Sequence, residues 1–456
     1  MKQLLWTLAA AVTVSFTACI KVNIDDSTVN NGSTTPVGTT LQDRIISSKV
    51  ISGSINENVE LPKGKYTLKG YVYVNDRARL TIAAGSIILS DTVNKGAIIV
   101  EQNSRLIADG TASEPIIFTS GKVPGQRKPG DWGGIILLGN APTNRSTTPI
   151  IEGGVNAVYG GSIANDNSGI LRYVRIEFAG IAADPNSEIN GLTLGGVGNG
   201  TVIENIQVSY GNDDSYEFFG GTVNCKNLIA FATADDDFDF DFGYNGRIQF
   251  AVSLRDPKFV DGGDAGNGIE CDNDGAGTVA GPRTRPQLSN FTFVGPNGAD
   301  GTLANHNFTT RFRRSTQFSL TNSILIGYMD AGFQFESDST AAAYIDGRSS
   351  FRHNLVHGVV EPYKVSSTSL INAATVKTKA EGVDSCKTYA SANDVMLENP
   401  FNLTAPNFLP KAGSPALTGA SFFGLSGFTT TTYVGAFGTT NWMQGWTSFT
   451  PQTNVY

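Results

Sequence analysis

The sequence predicts an all-β solenoid in which short strands wind as the coils of a parallel β-helix. The first observation is a 22-residue period between residues 202 and 254. Asn205 falls on Asn227 and then Gln249, Ile206 on Leu228 and Phe250, and Val208 on Ala230 and Val252. Half a line later Asp213 and Asp214 fall on Asp235 and Asp236, Tyr216 on Phe238, Glu217 on Asp239, and Phe218 on Phe240. The second observation is that apolar residues alternate inside each line, which is too short for a strand–helix–strand unit and lacks helical periodicity. The third is composition. The 52 glycines among 456 residues, with frequent Asn, Thr and Ser, favour turns and short strands over helices. Each coil of a solenoid packs only on its neighbours, so a chain of this length need not split into globular domains.

Taken in order, residues 1–18 read as a secretory leader. Lys2 supplies the charged start, and the apolar run from Leu4 to Phe16 is too short to span a bilayer. The end of this segment, Phe16-Thr17-Ala18-Cys19, resembles the lipobox of bacterial lipoproteins, with Phe where Leu is usual. The resemblance implies that Cys19 is lipidated and becomes the first mature residue, an anchor with several acyl chains. Lys21 followed by Asp25 and Asp26 resembles the surface-export signal of Bacteroidetes lipoproteins. It implies an address on the outer face of the outer membrane. Residues 19–45 are then the lipidated cysteine and a flexible tether rich in Ser, Thr, Asn and Gly.

The β-helix is expected over 46–420. Val72, Val74, Leu80 and Ile82 alternate with polar residues, and residues 97–100 form a short apolar strand. Residues 104–120 resemble a run of right-handed β-helix proteins: strand, Gly-Thr turn, proline, and a strand ending in Thr-Ser. The run Gly130-Asp131-Trp132-Gly133-Gly134, followed by Ile135 to Gly139, resembles uncharacterised β-helix lipoproteins of Bacteroidetes. Trp132 reads as a plug in the side of the stack, with a sugar platform as the other role open to it. Residues 140–169, 181–190 and 256–286 carry no period and read as long side loops. Asn290, Asn322 and Asn354 recur every 32 residues and suit stacked turns. Residues 361–395 are irregular and suit a side loop or a short helix. Residues 421–456, with Trp442, Trp446 and Phe449, resemble the C-terminal end of the same lipoproteins and are expected to cap the open strands and apolar cross-section of the solenoid. Cys225 is placed in a turn and Cys271 opposite Phe218 in the inward column. With Cys386 they make no CxxC pair, so neither a zinc nor a redox site is indicated, and one disulfide or three free thiols are both open.

Two patterns could carry chemistry. Around Asp235 to Phe242, alternation sends Phe238, Phe240 and Phe242 to one side and Asp237, Asp239 and Asp241 to the other. The preceding coil adds Asp213, Asp214 and Glu217. Carboxylates stacked about 4.8 Å apart repel unless a cation or water separates them. Asp213, Asp214, Glu217, Asp235, Asp237, Asp239 and Asp241 are therefore the candidate calcium ligands, with a solvated acidic face as the plainer reading. The second pattern is the outward column Glu217, Asp239, Glu270, Arg311, Gln334, in which acid runs into base. Glu217, Asp237, Asp239 and Arg311 are what a calcium-dependent polysaccharide lyase or a glycosidase would draw on. No lyase motif accompanies them. His306, His353 and His357 lack metal spacing, and the formal charge of −8 and absence of a basic–aromatic pattern exclude nucleic acid as a partner.

The expected function is a surface lipoprotein that binds glycan or protein without catalysis, stabilised by calcium, with the long loops as its recognition face. A lyase or glycosidase and a purely structural envelope protein are the alternatives. The partners implied are the membrane, through the lipid, and a polysaccharide or surface protein.

Overall fold

The computed structural model describes residues 40–184, 187–263 and 265–456. The leader, Cys19 and most of the tether lie outside these residues. Twenty-six strands form one continuous parallel network that winds as a right-handed β-helix.

Each coil has three faces, visible in the coil that begins at Tyr216. Tyr216–Phe219 lies on the first face. Asn224–Phe231 then supplies both the second and the third, because the strand bends at Asn227, whose φ is 57°. The same left-handed corner recurs at Asn205, Phe250, Asn290, Asn322 and His353. A left-handed residue costs least when it is Gly or Asn, which explains why asparagine marks the period. The register also corrects the sequence alignment. Cys225 pairs with Ile248 and Leu228 with Ala251, so this coil has 23 residues and the corner passes to Phe250 rather than Gln249. Likewise His353, not Asn354, takes the corner below Asn322, while Asn354 Oδ1 accepts the Ser323 amide at 2.8 Å.

Inside, like stacks on like. Tyr216 and Phe238 stack with centroids 5.1 Å apart, and Phe218 and Phe240 at 5.0 Å. Cys271 continues the Phe218–Phe240 column, whereas Cys225 lies within a strand rather than a turn. Cys225, Cys271 and Cys386 are free and buried. Trp132 is buried, stacks on Phe118 and donates to the Glu177 carbonyl at 2.7 Å, so it is a plug and not a sugar platform.

Short helices meet both ends. Leu41–Ser48 contacts the first strands and buries Ile45, so the packed body includes residues 41–45, which the sequence places outside it. Its start is fixed by Thr40 and Asp43 in a capping box. Ala373–Gly382 inserts Val376 and Ala380 into the main core beside the last strands.

The aromatic C-terminal segment covers an apolar surface, but that surface is the flank. On the third face the strands are apolar inward and outward alike. Ile229, Phe231, Val252, Leu254, Val294, Ile324 and Ile326 point away from the main core into a second one. That core is completed by Val434, Phe437, Met443 and Trp446. The segment runs back along the stack and is clasped coil by coil. Asn322 holds Ser421 through two bonds of 2.8 and 3.0 Å. Gln249 holds Thr429 at 2.7 and 2.8 Å, and Gln207 holds Ser448 at 2.7 and 2.9 Å. Asn290 donates to Thr431, Tyr433 and Gly435. At the end, the Tyr456 hydroxyl meets Glu177 at 2.7 Å and Arg175 at 2.8 Å.

Replacing Asn290 by Ala removes the strap contacts and leaves a β-carbon residue without its amide at φ 58°. Unfolding free energy should fall by about 2–4 kcal/mol. Asn290→Gly keeps the corner and should lose less. Both should raise amide exchange over residues 429–436 while leaving the first face protected, and unchanged exchange there would remove the strap from the stability account.

Candidate functional site

The outward column of the first face is read directly from the strand register. Thr193 pairs with Glu217, Glu217 with Asp239, Asp239 with Glu270, Glu270 with Arg311, and Arg311 with Gln334. The acid-to-base column expected from the sequence is therefore one continuous row. Its lower half neutralises itself. Arg311 pairs with Glu270 at 3.1 Å and Glu336 at 3.3 Å. Arg313 pairs with Glu270 and, at 3.0 Å, with Asp272, and Arg314 meets Asp272 at 2.7 Å.

The upper half does not. Around Glu217 and Asp239 the chain builds a cleft of about 450 Å³ walled by Asp213, Asp214, Glu217, Asp235 and Asp239, and by Glu152, Glu188 and Asp261 from three loops. Asn212 and Gly263 also line it, and among the described residues no lysine, arginine or histidine contributes to it. The turns that carry Asp213, Asp214 and Asp235 follow the third face, where the left-handed residues Tyr210 and Ala232 (φ 56° and 52°) redirect the chain towards the first. The 140–169 loop covers the upper first face, with Ile151, Val155, Ala157 and Tyr159 packed on Ile99, Ile136 and Phe219. That packing brings Glu152 to the cleft. The 181–190 loop brings Glu188 and the buried Asn190, whose amide donates to Glu217 and, at 3.4 Å, to Glu152. The 256–286 loop brings Asp261.

Two of the sequence candidates stand elsewhere. Asp237 is fully buried and paired with Arg255 at 3.1 Å, with Ser253 and Tyr328 also donating to it. It precedes the strand Phe238–Asp241, so strand alternation does not govern it. Asp241 accepts the Phe242 amide at 2.6 Å outside the cleft, and Phe242, at φ 48°, turns outward to stack on Phe219. Neither aspartate is placed to share a ligand with Glu217. Arg311 shares their face but lies two coils beyond Glu217's neighbour in the row. Glu152, Glu188 and Asp261 escaped the sequence reading because each belongs to a loop without a period. The one available signal was an acidic residue in every long loop.

Carboxylate oxygens of Asp213, Asp214 and Asp235 come within 4.8 Å of one another, as do those of Asp214, Glu217 and Asp239. Burial and neighbouring charge push the Asp213 carboxyl up to about 7. The same causes, burial first, hold Asp214, Glu217 and Asp239 well above the usual carboxylate range. Asp239 keeps one buried oxygen without a hydrogen-bond partner among the described residues. Such a set accepts protons or a hard cation. Oxygen-rich, flexible coordination is what calcium takes.

A family model described as a pectate-lyase-like beta helix domain matches residues 53–447. The chain belongs to that family. No curated protein and no solved structure gives a match. The match spans every coil and all three loops, so membership accounts for the winding and not for the chemistry of the cleft.

A carboxyl whose folded pKa is raised binds its proton more tightly in the native state. The cation-free protein is therefore favoured below the ordinary carboxylate value and loses that stability as pH rises through the folded value, about 7 for Asp213. In chelator the melting temperature should fall from pH 5 to pH 8. With calcium the fall should flatten, since the cation replaces the protons. A melting temperature in chelator that climbs over this interval would contradict the burial of these carboxyls.

Proposed function

We propose that this β-helix is a surface-exposed outer-membrane lipoprotein, anchored through Cys19, whose acidic cleft holds calcium and binds a glycan or protein ligand without catalysis. The observation that carries the reading is the convergence of three unrelated loops on one cleft lined, among the described residues, by eight carboxylates and no base. Asp213, Asp214, Glu217, Asp235 and Asp239 hold the cation, and Glu152, Glu188 and Asp261 bring the loops to it. Bound calcium supplies the positive charge that lets hydroxyl or carboxylate oxygens of a ligand enter an otherwise repulsive cleft. The loop rims then supply selectivity.

Catalysis fits less well. A lyase needs a basic group beside the cation, and the candidate Arg311 is occupied by Glu270 and Glu336. A retaining glycosidase separates its two carboxyls by about 5–5.5 Å and an inverting one by more. The grouped oxygens here lie within 4.8 Å of one another, a spacing that suits a shared cation. A solely structural role leaves the clustered, buried charge without a counter-ion. The anchor rests on the lipobox-like run ending at Cys19 and the export-like Lys21, Asp25 and Asp26.

Calcium at 100 times its Kd should add about 2.7 kcal/mol to the stability of residues 40–456. Asp214→Asn with Glu217→Gln should abolish both this gain and the calorimetric binding signal. Arg311→Gln should keep both, and anionic polysaccharides should remain uncleaved. Calcium binding that survives the double substitution would move the site elsewhere, and release of unsaturated sugars would make the protein a lyase. Separately, Cys19→Ala in the full chain should shift the protein from the membrane to the soluble fraction and prevent palmitate labelling. Retention at the membrane would refute the anchor.

A further inference from the structure

A second cleft, of opposite character, lies on the second face of the coils where the C-terminal strap crosses it. It encloses about 280 Å³, close to the lower end of small-molecule sites at roughly 300 Å³. Its floor is a polar row fixed by strand register: Gln287 pairs with Ser319, and Ser319 with Ser350. These side chains stand about 4.8 Å apart along the row. Two arginines flank it, Arg285 and Arg352, and no carboxylate lines the cleft.

The charge of these arginines is poorly answered by the protein. The Arg285 guanidinium donates through Nε to the Arg348 carbonyl at 3.1 Å and has no ion pair among the described residues. Burial lowers its pKa, so its charge is held at a cost that an anion would relieve. Arg352 stands 4.0 Å from Asp384, but Asp384 is already engaged by Lys379 at 2.5 Å and by the Tyr344 hydroxyl at 3.2 Å. In a chain of formal charge −8, a cleft with two arginines and no acid stands out from the surrounding surface.

The fourth wall is aromatic. Phe423 is 90 % exposed, the most exposed of the large apolar side chains among the described residues. It is not on a loose end, because Ser421, two residues before it, is fixed to Asn322 by the pair of bonds already described. Further on, Gly427 passes so near Arg247 that a β-carbon there would come 2.6 Å from its Nε. The strap thus holds an open ring beside a row of hydroxyl and amide groups and two guanidinium groups. A ring for the apolar face of a sugar, a polar row for its hydroxyls and planar forks for its anion are complementary to one ligand class.

We infer that this cleft is a binding site for an acidic saccharide, whose carboxylate or sulfate is held by Arg285 and Arg352, whose hydroxyls meet Gln287, Ser319 and Ser350, and whose ring rests on Phe423. It is independent of the calcium cleft, since the two lie on different faces and use opposite charge.

The test is calorimetric titration of the chain from residue 40 in chelator, so that the acidic cleft stays out of the measurement. The probes are a galacturonic acid trimer, a sulfated disaccharide, the neutral galactose trimer and an aspartate trimer. At least one acidic sugar should bind ten-fold or more tightly than the neutral trimer, and added salt should weaken it. The stronger of the carboxylate and sulfate probes identifies the anion. Arg285→Gln with Arg352→Gln should weaken binding at least ten-fold with the melting temperature retained. Phe423→Ala, at an exposed position, should weaken it several-fold, and Asp214→Asn with Glu217→Gln should leave it unchanged. Equal binding of the neutral trimer, indifference to the arginine pair, or no binding of either acidic sugar at millimolar concentration would overturn the site. Equal binding of the aspartate trimer would overturn its assignment to a saccharide.

Discussion

The parallel ladder between coils governs this molecule. It places every side chain about 4.8 Å from its equivalent in the next coil, so whatever the sequence repeats, the structure stacks. Repeating an aromatic inside gives the Tyr216–Phe238 and Phe218–Phe240 stacks, which bury large apolar area in a close-packed column. Repeating a carboxylate outside gives Glu217, Asp239 and Glu270 in one row, where the same spacing is repulsive. Two answers to that repulsion are visible along the row. Below, Arg311 and Arg313 neutralise Glu270. Above, no base is present in the cleft, the carboxyls are pushed towards protonation, and loops add three more acids. The acidic residues gather where the described lining of the cleft supplies no base, which is the observation the cation proposal rests on.

Periodicity made part of this legible. The winding, the inward columns and the row from Glu217 to Gln334 follow from alternation and a fixed period, because a ladder translates sequence spacing directly into spatial neighbours. The alignment failed where a turn changed length. Between Asp241 and Arg247 the chain takes one residue more than between Phe219 and Asn224, so the attractive match of Gln249 to Asn227 is one position off. Asp237 was misplaced for a related reason: it stands ahead of its strand, where alternation has no authority. Glu152, Glu188 and Asp261 had no period to betray them at all. Their positions depend on loop packing, such as Ile151 and Tyr159 on the first face, which no local pattern encodes.

The strap illustrates a signal that was present but assigned to the wrong surface. Strands buried on both sides read as continuous apolar runs rather than alternating ones. Residues 228–231 have that character throughout, and 251–254 and 291–294 break it only at Ser253 and Thr292, so something had to cover the third face. The aromatic C-terminal segment was the apolar material left to do it. The amide side chains of Gln207, Gln249, Asn290 and Asn322 then satisfy strap backbone groups at the edges of this second core. Covering a flank has a consequence that capping an end does not. The strap touches coil after coil, ties distant repeats together, and fixes exposed side chains such as Phe423 against a chosen face.

The buried Asp237–Arg255 pair connects the core to the acidic cleft. An ion pair removed from water is stabilising only when its remaining donors and acceptors are satisfied. Here Asp237 also accepts from Ser253 and Tyr328, while Arg255 donates to the carbonyls of Asp235, at 2.6 Å, and Ala234, at 3.4 Å, and leaves only its Nε without a partner among the described residues. Those carbonyls belong to the turn that carries Asp235 into the cleft. The neighbouring loop closes on the same guanidinium, for a β-carbon at Gly266 would overlap its Nη2. One buried cation thus anchors both the Asp235 turn and the loop that delivers Asp261. It holds the acidic site through backbone carbonyls rather than through the cleft carboxylates. The turn and the loop are thereby fixed from within the core, while the described lining of the cleft they deliver is acidic.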